Sequence, residues 1–140
     1  MAFEQIENLR ILKEAEEIAD KIWDEVIVWN YFAKDSIGKQ LVKAADSIGA
    51  NIVESQGRFH PKDAINFLYI SRGSLKETKY WLKRATNRKL LTMDTCDKFI
   101  DRINNLAPQL NAFIKNQQKR KSNTNKLTNQ QTNKLTNYVL

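Results

Sequence analysis

Four polar side chains fall on one face of a stretch with helical spacing, AADSIGANIVESQGRFHPKD, at residues 44–63. They are Ser47, Asn51, Glu54 and Arg58. Steps of four, three and four residues stack them along one side of a helix. This line could be a ligand site or a catalytic site. A buried hydrogen-bonded network is the favoured interpretation, because buried polar groups persist when they are paired. Ser74 and Glu77 are further candidate partners in it.

Residues that could carry out enzymatic chemistry are scarce. His60 is the only histidine, so the Glu-x-x-His pairs of a di-metal bundle site do not occur. Cys96 has no histidine near it in the sequence and is expected to fill the core. The four glycines are isolated, which excludes a glycine-rich phosphate loop. The sequence therefore predicts no catalytic residue, no metal and no cofactor.

Composition favours one helical domain in a reducing compartment. The 140 residues include four glycines and two prolines, and strand-rich domains need more turn residues than that. A single cysteine excludes an internal disulfide framework. No stretch approaches the ~18 apolar residues that cross a membrane, and the first residues do not resemble a signal peptide. We therefore predict a cytoplasmic protein without a membrane partner.

The net charge of +7 is distributed unevenly. Residues 1–33 carry three basic and eight acidic side chains, whereas residues 34–92 carry twelve basic and five acidic ones. A basic centre beside an acidic flank indicates either an anionic partner or self-association between unlike surfaces.

A row of four cations marks the predicted third helix. We call it the basic row, and its members are Arg72, Lys76, Lys79 and Lys83. We expect the row to face outward, opposite the side that carries Leu75 and Leu82, with Glu77 as the only acid close by. Lysine and arginine bind phosphates without reading sequence. Further nucleic-acid-binding candidates are Lys39, Lys43, Arg58, Lys62, Arg84, Arg88 and Lys89.

Three aromatic side chains are interleaved with the basic row: Tyr69, Tyr80 and Trp81. Their rings offer faces on which bases can stack. A solvated surface is the usual fate of charged residues, but such a surface mixes both signs. We therefore predict nucleic-acid binding, to RNA first and to a DNA–RNA hybrid as the other possibility. The alternative is a protein scaffold whose basic row docks an acidic protein or the acidic first helix of a neighbouring copy.

Four helices would position these residues. Apolar side chains recur at steps of three and four over residues 4–30, 37–56, 61–89 and 92–119. Asp35 or Ser36 is placed to cap the second helix, and Thr92 to cap the fourth. The third helix carries a row of small residues, which lets a neighbouring helix approach closely. These are Ala64, Ser71, Thr78 and Ala85. The pattern predicts an all-α fold, an antiparallel up-down four-helix bundle over residues 1–121.

Residues 122–140 differ from the rest of the chain. They contain TNKLTN twice, at residues 124–129 and 132–137. Two copies with so few apolar side chains cannot form a stacked repeat domain. A polar terminal segment rich in asparagine, threonine and glutamine is typical of disorder. We therefore predict a disordered, low-complexity C-terminal tail.

The stretch GKQLVKAADSIGANIVESQGRFHPKDAINFLYISRGSLKETKYWLKRA, residues 38–85, resembles the signature of the 23S rRNA intervening-sequence protein family. The matching residues are Gln40, Ala45, Ser47, Ile48, Asn51, Ile52, Glu54, Gly57 and Arg58, followed by Phe67, Leu68, Gly73, Ser74, Leu75 and Glu77. The helical layout extends the similarity to about residues 4–119. Ser55 departs from the pattern, because the family usually has glycine there.

The resemblance implies a non-enzymatic four-helix bundle. Members are encoded in intervening sequences of bacterial 23S rRNA genes, and others lie elsewhere in genomes. The family is similar to the accessory variability determinant proteins of diversity-generating retroelements, which form a basic five-membered ring that works with a reverse transcriptase and nucleic acid. The resemblance therefore implies a homopentamer that binds nucleic acid, with a reverse transcriptase as a candidate partner. It also implies that the signature shapes the bundle and that the basic surface carries the function.

Overall fold

Apolar periodicity produces four long helices in the computed structural model, which describes the backbone of residues 3–139 and the side chains of residues 9–123. The elements are α1 (Phe3–Val26), α2 (Tyr31–Ala33), a π-helical turn (Lys34–Gly38), α3 (Lys39–Gln56), α4 (Pro61–Asn87) and α5 (Met93–Val139). The π-helical turn joins α2 to α3 without a break, so that these three elements form one long helix. The described backbone contains no strand, which confirms the all-α prediction.

The second long helix begins earlier than predicted. The side-chain oxygen of Asn30 accepts a hydrogen bond from the backbone N–H of Ala33 at 3.0 Å, so Asn30 is the N-cap. The expected caps, Asp35 and Ser36, lie inside the π-helical turn instead. The cap predicted for the last helix is confirmed, since the Thr92 hydroxyl accepts from the backbone N–H of Thr95 at 3.2 Å.

Helix α4 runs antiparallel to both α3 and α5. Between α3 and α4, the Ser71 hydroxyl donates to the carbonyl of Ile48 at 2.8 Å, and the Ser74 hydroxyl lies 2.9 Å from that of Ser47. Higher numbers on one helix thus meet lower numbers on the next. The α4–α5 contacts follow the same order, because Arg72 reaches Asn111 whereas Lys79 reaches Asn104. Helix α1 packs on both α3 and α5, which is consistent with the predicted up-down bundle.

The core is formed by branched aliphatic side chains from all four long helices. The most completely enclosed are Ile11, Ile18, Ile22, Leu41, Ile48, Ile52, Leu68, Leu82, Ile103, Leu106 and Leu110. The small residues predicted to line one side of α4 are all buried, which confirms that prediction. Cys96 is buried as expected, and its thiol lies 3.8 Å from the carbonyl oxygen of Leu82.

An ion cluster joins the first helix to the last. Arg102 on α5 donates to Glu14 at 2.8 Å and to Glu17 at 2.9 Å, both on α1. The hydrogen bond that Arg102 donates to Glu14 is the main cause of the raised pKa of Arg102. The cluster fixes the register of α1 against α5, because the planar guanidinium binds both carboxylates in a defined geometry.

Two glycines differ in what surrounds them. A Cβ on Gly38 would lie 2.7 Å from Cγ1 of Val26 and 3.2 Å from the carbonyl oxygen of Ala33. The helix following α1 therefore approaches it so closely that a side chain does not fit. A Cβ on Gly73, in the middle of α4, would meet no atom within 4 Å.

Alanine at these two positions should act in opposite directions. Gly38→Ala is expected to destabilise the fold by about 1–3 kcal/mol, because the new methyl group overpacks the site. Gly73→Ala should stabilise it by about 0.5–1 kcal/mol, because alanine loses less conformational freedom in a helix interior. Urea unfolding of both variants, followed by circular dichroism, would measure the difference. Equal effects would contradict this account of Gly38.

The C-terminal tail is described only in part. The backbone of α5 continues to Val139, but the side chains of residues 124–140 lie outside the described residues. The disorder predicted for residues 122–140 therefore stays a prediction. Within the described residues, no helix is long and apolar enough to span a membrane.

Candidate nucleic-acid interface

Helix α4 brings the four cations of the basic row into one line. The helix begins at Pro61, which occupies its first turn as the sequence predicts, and it places its leucines against the core. Lys76 and Lys83 are exposed, whereas Arg72 and Lys79 are half-buried. Lys83 follows Arg72 by eleven residues, which gives the row a length of about 16 Å. No carboxylate lies within ion-pair distance of these four cations in the part of the chain that the structure describes.

The basic row lies along the boundary between α4 and α5. The Arg72 guanidinium donates to Oδ1 of Asn111 at 3.3 Å, and the Lys79 ammonium donates to Oδ1 of Asn104 at 2.8 Å. The expectation that the row lies opposite the core side of α4 is therefore wrong, because two of its members flank the neighbouring helix. The asparagine acceptors are neutral, so they orient the two cations without cancelling their charge.

Arginine side chains lie over the tyrosine rings beside the basic row. The guanidinium carbon of Arg72 lies 4.9 Å from the centre of the Tyr69 ring, and that of Arg84 lies 6.0 Å from the centre of the Tyr80 ring. Both tyrosines are exposed. Two of the three predicted aromatic residues thus adjoin the row with their rings accessible to a ligand.

Trp81, the third predicted aromatic residue, has a different environment. It is half-buried against the core, and its ring nitrogen donates to Glu77 at 3.2 Å. This bond uses the acid that the sequence places closest to the row. Trp81 therefore contributes to packing more than to an accessible surface.

The other predicted cations do not all reach the basic row. Arg84 adjoins it, and the exposed Arg88 and Lys89 continue the charge at the end of α4. Arg58 and Lys62 lie at the opposite end of that helix, around the turn from α3. Lys39 and Lys43 project from α3 beside a cavity bounded by α1 and α2, away from α5. The structure thus divides the predicted cationic surface into the basic row and two separate groups.

The predicted polar line of α3 is split in two. Its first half, Ser47 and Asn51, is a half-buried network. The Asn51 amide donates to the hydroxyl and the carbonyl of Ser47, at 2.9 and 2.8 Å. Ser74 joins this network through its hydroxyl, as the sequence predicts. Glu77 does not, because it accepts from Trp81 instead. Among these described residues the network is packed between two helices, which favours a structural role.

The second half of the line, Glu54 and Arg58, is exposed, which the sequence did not predict. Arg58 and Glu54 form an ion pair at 2.9 Å, with 43% and 55% of their side chains exposed. The guanidinium also lies 4.5 Å from the centre of the Phe67 ring. The expectation that Glu54 is buried with this arginine is therefore wrong. Glu54 is exposed because α3 ends at Gln56, which leaves the last turn of the helix open to water.

Replacing Glu54 by alanine should have little effect on stability. An exposed pair four residues apart in or next to a helix contributes about 0.3–0.5 kcal/mol, because water and salt screen it. We expect Glu54→Ala to lower the free energy of unfolding by no more than that. Denaturant unfolding at low and at high salt would test this. A loss well above 1 kcal/mol would show that Glu54 supports the turn through more than this pair.

Several hydrogen-bond partners in the site were not predicted from the sequence. Asn104 and Asn111 are seven residues apart on α5, and the two cations that they bind are seven residues apart on α4. In two antiparallel helices, this equal spacing could have indicated that each cation lies beside one of the asparagines. The Ser55 hydroxyl, at the position where the sequence departs from the signature that it resembles, is buried and donates to the carbonyl of Ile52 at 2.6 Å. Serine is therefore accommodated there without an unpaired polar group.

No group of three or more histidine, cysteine, aspartate or glutamate side chains that could hold a metal ion occurs among the described residues. The fold and the basic row together define a four-helix bundle with a cationic flank. The model of the family described as 23S rRNA-intervening sequence protein matches residues 7–112. The chain belongs to this family.

A solved structure shows the same fold. It is the crystal structure of a protein of unknown function from the S23 ribosomal protein family of Bacteroides thetaiotaomicron. The two chains are 24% identical and superpose with a TM-score of 0.72, over 78% of this chain and 98% of that one. No curated protein matches this chain.

Proposed function

We propose that this protein is a non-enzymatic, cytoplasmic nucleic-acid-binding protein and that its ligand is RNA. The observation that carries the proposal is the basic row on α4, whose four cations have no carboxylate partner among the described residues. Phosphates would supply the missing counter-charge. The exposed tyrosines beside the row are suited to stack on unpaired bases.

The family's description supports RNA over other polyanions. It refers to intervening sequences of 23S rRNA, so the gene of such a protein is linked with an RNA. An accessory role beside a reverse transcriptase is the second setting that the resemblance suggests. Both settings require a protein that holds a phosphate backbone, and neither requires chemistry.

We also propose that the protein assembles with itself, as a homopentamer. The acidic side chains of α1 and the basic row of α4 lie on different helices, so unlike surfaces of two copies could meet. Sedimentation at micromolar concentration and low salt would show a species of five chains. A monomer under those conditions would contradict this part of the proposal.

Salt dependence of RNA binding tests the central proposal. Fluorescence anisotropy with labelled single-stranded RNA of several unrelated sequences, titrated at salt concentrations from low to high, gives the slope of log affinity against log salt. We expect that slope to be about −2.8 if all four cations of the row bind phosphate, at about −0.7 for each. Affinity should differ little between sequences.

The second candidate is a scaffold that docks an acidic protein or a neighbouring copy on the basic row. The same four cations favour it, because they have no carboxylate partner among the described residues and an acidic protein could supply their counter-charge as well. A scaffold would bind RNA negligibly at physiological salt. It would also retain a protein partner in pull-down experiments. Those two results together would overturn the RNA proposal.

A further inference from the structure

An apolar cavity opens between α1, α2 and α3, on a different part of the surface from the basic row. Its volume is about 600 Å³, within the range of ~300–1,000 Å³ that is usual for small-molecule sites. Val26, Ile27 and Val42 supply apolar lining. Trp23 and Tyr31 also line it, and these residues are 51% and 78% exposed. A planar aromatic group could stack on either ring.

Charged groups surround this cavity in a definite pattern. Three lysines line it, Lys34, Lys39 and Lys43, and two carboxylates do so as well, Asp35 and Asp46. None of these five groups forms an ion pair within the part of the chain whose side chains are described. The cavity therefore combines aromatic rings, a cationic rim and hydrogen-bond acceptors.

No described side chain or backbone group donates a hydrogen bond to the carboxylate of Asp46, which lines the cavity. Partial burial, and then the nearby charge of Asp20, raise the pKa of its side chain. The approach of a second anion would be unfavourable at this point of the wall, whereas an N–H donor would be favourable. Lys43 and Lys39 precede Asp46 on α3 by about one and two turns, and an anion is favoured on that side of the carboxylate. A ligand that carries N–H donors at one end and an anion at the other would match both parts.

We infer that this cavity binds a nucleotide, with its base against Trp23 and Tyr31 and its phosphate at Lys39 and Lys43. A base provides a planar ring and N–H donors, and its phosphate provides the anion. The nucleotide could be free or could be one unpaired unit of an RNA strand. The site explains why two of the predicted nucleic-acid-binding lysines lie away from the basic row. It does not depend on that row.

Indole N–H resonances of the ¹⁵N-labelled full chain provide the readout. The Trp23 resonance can be assigned by its disappearance in Trp23→Phe. Titration with adenosine monophosphate should shift it, and adenosine or ribose 5-phosphate should bind at least tenfold more weakly, because each lacks one half of the ligand. An equal response to adenosine and to the nucleotide would show that apolar contact alone drives binding, and would overturn the proposal.

Two matched double variants test whether the lysines of the rim, rather than the overall charge of the protein, bind the phosphate. Lys39→Gln with Lys43→Gln should weaken adenosine monophosphate binding at least tenfold, because each charge-assisted hydrogen bond contributes strongly. Lys13→Gln with Lys21→Gln removes the same charge from exposed positions of α1 outside the cavity and should leave binding unchanged. Equal losses in both variants would overturn the assignment of the phosphate to this rim.

A short single-stranded oligonucleotide distinguishes the two sources of the nucleotide. A shift of the Trp23 resonance with the mononucleotide supports a site for the free ligand. A shift with the oligonucleotide alone supports capture of one unit of a strand. No shift with either overturns the cavity site, even if anisotropy shows RNA bound at the basic row. If sedimentation shows that copies associate and Trp23 is then shielded from a soluble quencher, a second copy covers the cavity and the proposal fails.

Discussion

Replacing Lys76 and Lys83 by glutamine is expected to weaken RNA binding roughly 25-fold at ~0.1 M salt, because each lost phosphate contact lowers the salt slope by about 0.7. The two lysines are the exposed members of the basic row, and neither has a hydrogen-bond partner among the described residues. Glutamine keeps the length and helix preference of the side chain while removing its charge. The fold should therefore be unchanged, and the loss should be similar for unrelated sequences.

Two comparisons make this experiment specific to the row. Lys13→Gln with Lys21→Gln removes two charges from α1 and should change RNA affinity far less. Replacing Arg72 and Lys79 instead should weaken binding similarly but also cost some stability, because both side chains bind asparagines of α5. If Lys76→Gln with Lys83→Gln altered the size of the assembly before it altered RNA binding, the row would belong to a subunit interface.

The fold could be predicted from the sequence because its signals are local. Apolar side chains at steps of three and four are sufficient to define four helices, and the small residues of α4 indicate which side faces a neighbour. The wrong prediction for the start of the second long helix also has a local reason. Asn30 and two later residues, Asp35 and Ser36, are all acceptable caps, and only the backbone geometry selects the first of them.

The candidate site was harder to predict because it depends on how helices are rotated against each other. Spacing places Arg72 and Lys79 in one row, but it does not show how far α5 wraps around α4. The same limit applies to Arg102, whose partners on α1 are more than 80 residues away in the chain. Lys39 and Lys43 belong to the cavity for a similar reason, since the α1–α2 connection decides which surface they share.

Ser71→Leu should be the most destabilising of the single substitutions considered, with a loss of about 3 kcal/mol in the free energy of unfolding. Ser71 is fully buried where α3 and α4 meet, and its hydroxyl donates to the carbonyl of Ile48 at 2.8 Å. The backbones are held close at this point because the residue is small. The leucine side chain has two more heavy atoms than serine, where no space exists, so it forces the two helices apart. It also removes a buried hydrogen bond.

Two controls separate overpacking from the lost hydrogen bond. Ser71→Ala removes the hydroxyl without adding volume and should cost about 1 kcal/mol. Asn66→Leu places a leucine on the exposed side of the same helix and should change stability by less than about 0.5 kcal/mol. Urea unfolding of all three variants at one fixed protein concentration measures these losses without interference from assembly. If Ser71→Leu cost no more than Ser71→Ala, α3 and α4 could separate locally without penalty, and close packing at Ser71 would not be what sets their distance.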